Sequence, residues 1–325
     1  MGRIGRVALC ALVGAVLLAG CAVVERGTAV PDAREMERLA EPLTARDVLG
    51  ELATIDYCTT LDLAVMEATG GTVRWTQESF GWCEFGVVAE EGRVVLRVGD
   101  LAEVSTSVLG EPDGTVAQPH GWRMERYADL DPEACYRFLV FPDGISLQVE
   151  VTRTDVDPDV PVAALCRVAE VAVGAARAWL VEKPPTRLPL REGSLGHLDA
   201  CALVPQPEVE AAVGGPAPAR PTPTGHSCLW GRWDLPGPAA LVAFTVRVVE
   251  SEEREDEFPE TVAGRAAAVL PADDTCLVET PHIDFDPDVP GEVEVVGVEA
   301  RPAEGDACAA ARALAERVWA ALPAA

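Results

Sequence analysis

The residues best suited to chemistry in this 325-residue chain are its ten cysteines. Two lie near the N-terminus, and the other eight are Cys58, Cys83, Cys135, Cys166, Cys201, Cys228, Cys276 and Cys308. Each of the first four has a counterpart among the last four, in the same order, at distances of 143, 145, 141 and 142 residues. Such nearly equal distances predict that one structural unit occurs twice, with a period far longer than that of solenoid repeats.

The N-terminal segment has the pattern of an export signal. Arg3 and Arg6 precede an apolar stretch from Val7 to Gly20, as in a signal peptide. The alternative is a retained membrane helix, because the uncharged stretch from Val7 to Val24 is 18 residues long, the lower limit for crossing a bilayer.

The sequence LAGC at 18–21 favours cleavage over a retained helix. It resembles the lipobox of bacterial lipoproteins, in which a branched residue and two small residues precede the cysteine that receives the lipid. We therefore expect removal of residues 1–20 and acylation of Cys21, including palmitate. The mature protein would be anchored by lipid to the extracytoplasmic face of the cell membrane.

The eight later cysteines could bind zinc, react as thiols or form disulfides. Zinc sites use closely spaced pairs such as Cys-x2-Cys, whereas the nearest two of these cysteines are 25 residues apart. In an exported chain, four cysteines per unit predict two disulfides with three possible pairings. Because each then joins a predicted helix to a predicted strand, we favour the pairs Cys58–Cys83, Cys135–Cys166, Cys201–Cys228 and Cys276–Cys308.

Other chemistry has little support in the sequence. The motifs of serine hydrolases, zinc proteases and nucleotide-binding loops do not occur. The four histidines are scattered at His120, His197, His226 and His282. The repeated DPDVP, at 157–161 and 286–290, lacks the glycine and the final glutamate of a calcium-binding loop. We predict no catalytic residue, no metal site and no cofactor.

The charge and the aromatic residues limit the possible partners. A net charge of −27 repels polyanions, which excludes a nucleic-acid partner. Aromatic residues cluster near the repeated cysteines, and either they fill the core or they line a site for an apolar or sugar-like ligand. The candidates for such a lining are Trp75, Trp82, Phe85, Trp230 and Trp233.

These residues must be positioned by the elements that the sequence pattern predicts. In each unit a short helix precedes five apolar, alternating segments separated by Gly, Pro and Asp turns, which indicates strands in hairpins. An Ala-rich helix closes each unit, from about Val162 to Val181 and again after Cys308. The prediction is an α+β fold of two tandem homologous domains, each an antiparallel sheet with its helices on one face.

The predicted boundaries follow the composition. They are a signal peptide at 1–20, a tether and short helix at 21–48, a first repeat at 49–182, a Pro-rich linker at 183–194 and a second repeat at 195–325.

Several short motifs carry a resemblance to known proteins. They are the lipobox, the tether sequence GTAV, Asp-x-Cys at 56–58, Cys-x-Phe/Trp-Gly at 83–86 and 228–231, and a late cysteine that opens an Ala-rich helix. Together they resemble a large group of actinobacterial cell-envelope lipoproteins built on a domain of unknown function. The pattern is more distantly similar to extracytoplasmic sensor domains of actinobacterial Ser/Thr kinases, which also carry two disulfides on an α+β frame.

This resemblance implies a fold and no particular activity. A duplicated, disulfide-bonded domain without catalytic motifs predicts a non-catalytic binding or sensing module of the cell envelope. Its partner would be an envelope protein or a small apolar or sugar-like ligand, in addition to the membrane. The alternatives are a structural or accessory subunit of an envelope complex and an enzyme of unrecognised type.

Overall fold

The computed structural model describes residues 33–68, 71–103, 111–127, 131–233, 235–249, 257–286, 288–289 and 291–323. The predicted signal peptide, Cys21 and the start of the tether lie outside these residues. The chain forms two units, residues 1–40 and 41–325. The described part of the first unit is helix α1 (Ala33–Ala40).

The first half of the larger unit, residues 41–182, is built on a seven-stranded antiparallel sheet. Its strands are β1 (Thr72–Glu78), β2 (Trp82–Ala89), β3 (Gly92–Glu103), β4 (Gly114–Ala117), β5 (Arg123–Tyr127), β6 (Ala134–Val140) and β7 (Ile145–Arg153). Its helices are α2 (Ala45–Leu49), α3 (Leu63–Ala68) and α4 (Val162–Glu182). Helix α4 packs on β6 and β7, and their facing side chains form the first hydrophobic core.

The second half, from residue 195, repeats this arrangement. Its strands are β8 (Ala219–Pro221), β9 (Ser227–Gly231), β10 (Ala239–Val248), β11 (Glu260–Val262), β12 (Arg265–Pro271), β13 (Cys276–Asp284) and β14 (Glu292–Arg301). Its helices are α5 (Gln206–Val213) and α6 (Ala307–Ala321). Helix α6 packs on β13 and β14 and closes the second core.

The two sheets have the same strand order. It is β1-β2-β3-β7-β6-β5-β4 in the first and β8-β9-β10-β14-β13-β12-β11 in the second. All strand pairs are antiparallel. The chain therefore contains two α+β halves of one topology, with their long helices on the core faces.

Four disulfides fix helical segments to the core faces of the sheets. The pairs are Cys58–Cys83, Cys135–Cys166, Cys201–Cys228 and Cys276–Cys308, with Cα–Cα distances of 4.9 to 5.1 Å. These are the pairings favoured from the sequence. In each half one bridge holds a 3-10 turn on the second strand, and the other holds the long helix on the sixth strand.

The Asp-x-Cys motif has a local structural role in both halves. The Asp56 carboxylate accepts a hydrogen bond of 3.0 Å from the backbone N–H of Cys58. Asp199 does the same for Cys201 at 2.9 Å. Each aspartate caps the 3-10 turn that presents its cysteine, since a side-chain oxygen satisfies a backbone donor that the turn leaves free.

Loss of the first bridge should destabilise the protein without removing a reactive group. Replacing both Cys58 and Cys83 by Ala is expected to lower the free energy of unfolding by about 2 to 5 kcal/mol, because the unfolded chain regains the freedom of the closed loop. Urea unfolding followed by circular dichroism measures the change. The control is Val116→Ala, at a side chain that is 42% exposed. An unchanged unfolding midpoint in the double variant would contradict the structural role.

Candidate functional site

Two of the five aromatic residues proposed to line a ligand site are core residues instead. Phe85 is 0% exposed and Trp230 is 1% exposed. Both point to the core face of their strands, because they follow the buried disulfide cysteine by two residues and strand side chains alternate. These two residues therefore fill the core, which was the alternative interpretation of the aromatic cluster.

The other three aromatic residues reach solvent but do not come together. Trp75 is 46% exposed and lies over Gly86, where a larger residue would collide with its indole ring. The guanidinium of Arg301 lies 5.2 Å from the Trp233 ring centroid. Trp82 is half-buried, and it alone of these three lines a cavity formed by both halves.

The loop between β1 and β2 inserts Phe80 into the core of the second half. Phe80 is 0% exposed, and its ring centroid lies 5.2 Å from that of His226 and 5.5 Å from that of Phe285. Next to it, Ser79 accepts a hydrogen bond of 3.2 Å from the backbone N–H of Val246. The two halves therefore share a buried hydrophobic contact.

The linker adds polar contacts to this junction. Leu188 N–H donates to the Thr54 carbonyl at 2.9 Å, and Asp56 N–H donates to the Thr186 carbonyl at 3.0 Å. At the other end, His282 Nε2 lies 2.9 Å from the Gly193 carbonyl oxygen. The Pro-rich linker thus pairs with the first half and then attaches to the second.

A cleft of about 110 Å³ lies at this junction. Its lining comes from both halves and comprises Gly81, Trp82, Asp100, Leu101, Thr222, Thr224, His226, Ser227, Phe244 and Thr245. A wider groove of about 410 Å³ adjoins it and shares Thr222 and Thr224 with it. A larger cavity, of about 480 Å³, lies within the second half between the loops at 271–275 and 302–308, but no aromatic residue or histidine lines it.

An irregularity in strand β3 presents Asp100 to the cleft. The register between β3 and β7 shifts between Gly99 and Ala102, and Asp100 has a φ of +46°, which is strained for a residue with a side chain. A β-bulge of this kind redirects a side chain. The sequence reasoning missed Asp100, although Gly99 within an otherwise regular strand pattern was a signal for a bulge.

Burial is the largest influence on the Asp100 carboxyl and raises its pKa to about 6. The guanidinium of Arg97 lowers the pKa, and the weaker repulsion from Glu150 and Glu84 raises it. Arg97 lies 3.9 Å from the Asp100 carboxylate, because it donates instead to Glu84 at 3.0 and 2.6 Å. Asp100 is left without a close donor among the described residues.

His226 forms the opposite wall of the cleft as a neutral group. It is 2% exposed, and burial lowers its pKa, an effect that the carbonyl oxygens of Gly196 and Phe80 oppose only in part. Its Nε2 lies 3.2 Å from the Gly196 carbonyl oxygen. That nitrogen is engaged with the backbone, whereas Nδ1 is buried without a hydrogen-bond partner among the described residues.

A second group of acids, contributed by both halves, surrounds Glu78. Burial, together with smaller contributions from the nearby carboxylates of Asp56, Glu292 and Asp286, raises the pKa of Glu78 to about 7. Asp56, Cys58 and Glu78 lie close enough to surround a metal ion. The Cys58 sulfur is in a disulfide, however, and cannot supply a thiolate, so this set does not fit a zinc site.

The second half is similar to a family of proteins of unknown function. The family model described as "Protein of unknown function (DUF3558)" matches residues 172–321, from within α4 to the end of α6. Neither the curated proteins nor the solved structures contain a match. Within the described part of the chain, no helix is both long and apolar enough to cross a membrane. Four disulfides are typical of proteins in oxidising, extracytoplasmic compartments.

The acids at the junction predict a pH-dependent stability. Because the pKa of Glu78 is about 7 in the folded protein and about 4.3 in an unfolded chain, stability is lost as the pH rises between these values. Glu78→Gln should therefore raise the free energy of unfolding at pH 8 by on the order of 1 kcal/mol after solvent screening, and by less at pH 4.5. Urea titrations at both pH values measure this. The control is Glu90→Gln, at an exposed turn, and an equal effect of Glu78→Gln at both pH values would contradict the explanation.

Proposed function

We propose that the protein is a lipid-anchored, non-catalytic binding or sensing module on the extracytoplasmic face of the cell envelope, and that the cleft between its halves is its ligand site. The observation that carries this proposal is the cleft lining, in which Trp82 and Asp100 of one half face Thr224 and His226 of the other. Binding sites commonly combine apolar walls with a few convergent polar groups and lie at domain interfaces.

The internal duplication predicted from the cysteine spacing is part of this proposal. It is supported by the equal strand order of the two sheets and by disulfides at corresponding places in both halves. Two copies of one rigid unit create a cleft between them, where a ligand can change how the copies pack. This is a simple way for a non-catalytic domain to sense a molecule.

A lipid anchor would hold this module at the membrane surface. When the full-length chain is expressed, the mature protein should begin at Cys21 and carry two acyl chains on it. It should partition into detergent, because two acyl chains give stable anchoring. Mass spectrometry of the mature N-terminus measures this, with Cys21→Ser as the variant that loses the anchor. An intact Met1, or a free thiol on Cys21, would contradict it.

A screen by thermal unfolding tests the ligand site. The probes are monosaccharides, amino acids, short alcohols and short carboxylates, and we expect at least one of them to raise the melting temperature, since a ligand that binds only the folded state stabilises it. Thr245→Trp should abolish the effect by filling the cleft. The control Thr115→Trp, on an exposed strand, should keep it. A shift that persists in Thr245→Trp, or no shift with any probe, would contradict a ligand site in the cleft.

A further inference from the structure

We propose that the cleft binds a primary ammonium group, carried by a small organic amine whose remaining part extends into the adjoining groove. This inference rests on the proposed function and names the chemical class of its ligand. It concerns the charge, the hydrogen-bonding capacity and the size of the cleft.

The charge of the lining favours a cation. Among the described residues that line the cleft, Asp100 is the only one that carries a charge at neutral pH, because burial keeps His226 neutral. Around it, Glu84 and Glu150 outnumber Arg97. A protein with a net charge of −27 also attracts cations from solution and repels anions.

The hydrogen-bonding capacity of the lining matches an ammonium group, which has three N–H donors and no acceptor. The Asp100 carboxylate has its nearest cation, Arg97, at 3.9 Å, beyond the range of a hydrogen bond. Thr224, Ser227 and Thr245 also line the cleft, and a hydroxyl oxygen is a hydrogen-bond acceptor. An alcohol would offer a single donor and no positive charge to the carboxylate.

The bulge that presents Asp100 is particular to the first half. In the second sheet, β10 pairs with β14 from Ala239 to Val248 without a shift in register, although the two strands correspond to β3 and β7. Gly99 has a φ of +143°, and a side chain there would collide with the backbone of Gly81 and Trp82. The strained conformation of Asp100 therefore lies on β3 directly beside the loop that carries Phe80, where it places a carboxylate in the lining of the cleft.

The size of the cleft admits a head group and not a whole ligand. Its volume is about 110 Å³, enough for roughly three or four water molecules at about 30 Å³ each. An ammonium group with its first methylene groups fits this space. The adjoining groove of about 410 Å³ begins at Thr222 and Thr224 and offers room for the rest of the molecule.

The test is a calorimetric titration of the full-length protein in detergent with n-butylammonium chloride. Butan-1-ol and sodium butyrate are the matched probes, with the same chain and a neutral or negative head. We expect butylammonium to bind, butyrate not to bind, and butan-1-ol to bind at least about tenfold more weakly, since hydrogen bonds between two charged groups are the stronger ones.

Variants and pH then identify the group that binds. Asp100→Asn should weaken butylammonium binding at least about tenfold, whereas Glu90→Gln, at an exposed acid, should leave it unchanged.

The affinity for butylammonium should also fall about tenfold between pH 7.5 and pH 5, because the Asp100 carboxyl, with a pKa of about 6, is mostly protonated at pH 5. The charged or titratable groups that share its surroundings are Arg97, Glu84, Glu150 and Tyr57. The pKa values of Arg97 and Tyr57 are raised from values that already lie well above this range, so both groups keep their protons in it. Circular dichroism checks that each variant is folded, and Thr245→Trp replaces Asp100→Asn if the latter is not.

The outcomes separate this inference from the proposed function. Equal affinities for butylammonium and butan-1-ol, or an undiminished affinity in Asp100→Asn, would overturn the ammonium site. If butylammonium fails to bind while another probe raises the melting temperature in a way that Thr245→Trp abolishes, the ligand site stands and the ammonium inference alone is wrong. If no probe of any charge binds, both are wrong.

Discussion

Covalent attachment of helical segments to the sheets is the constraint on which both halves depend. Each sheet has two central strands, β3 and β7 in the first and β10 and β14 in the second. The disulfide cysteines of the sheets lie on the strands flanking these central pairs. Cys83 and Cys228 are 0% exposed, and Cys135 and Cys276 are 2% and 0% exposed. The bridges thus hold a turn and a long helix at two separate places over each core, and the core between them is closed.

Much of this architecture could be predicted from the sequence, because burial leaves a pattern. Central strands such as β3 and β10 alternate between buried and half-exposed side chains, and their sequences alternate accordingly. The outer strands β1, β4, β8 and β11 were not predicted. Strand β1 is largely exposed and β8 and β11 have three residues each, so that neither length nor hydrophobic alternation reveals them.

The candidate site was harder to predict, because it depends on contacts between distant parts of the chain. Trp82 was a candidate from the sequence, but Phe85, three residues away, was an equal candidate and is a core residue. Asp100 and His226 are 126 residues apart, and nothing local to either indicates the other. Their proximity follows from the insertion of the Phe80 loop, a tertiary contact without a periodic signature. Of the five aromatic candidates, two are core residues and one, Trp82, lines the cleft, so residue type alone did not separate the two positions.

Phe80 also explains a small residue in the other half. Gly196 lies where an added side chain would meet both the Phe80 ring and Leu190, so its lack of a side chain makes room for a residue supplied by the first half. The family model covers residues 172–321 and therefore not Phe80. A protein made only of that stretch would have a vacant, apolar space at this point of its core. In this chain, a side chain at position 196 would have to displace Phe80 or Leu190, so the packing of the first half limits the size of a residue that belongs to the second.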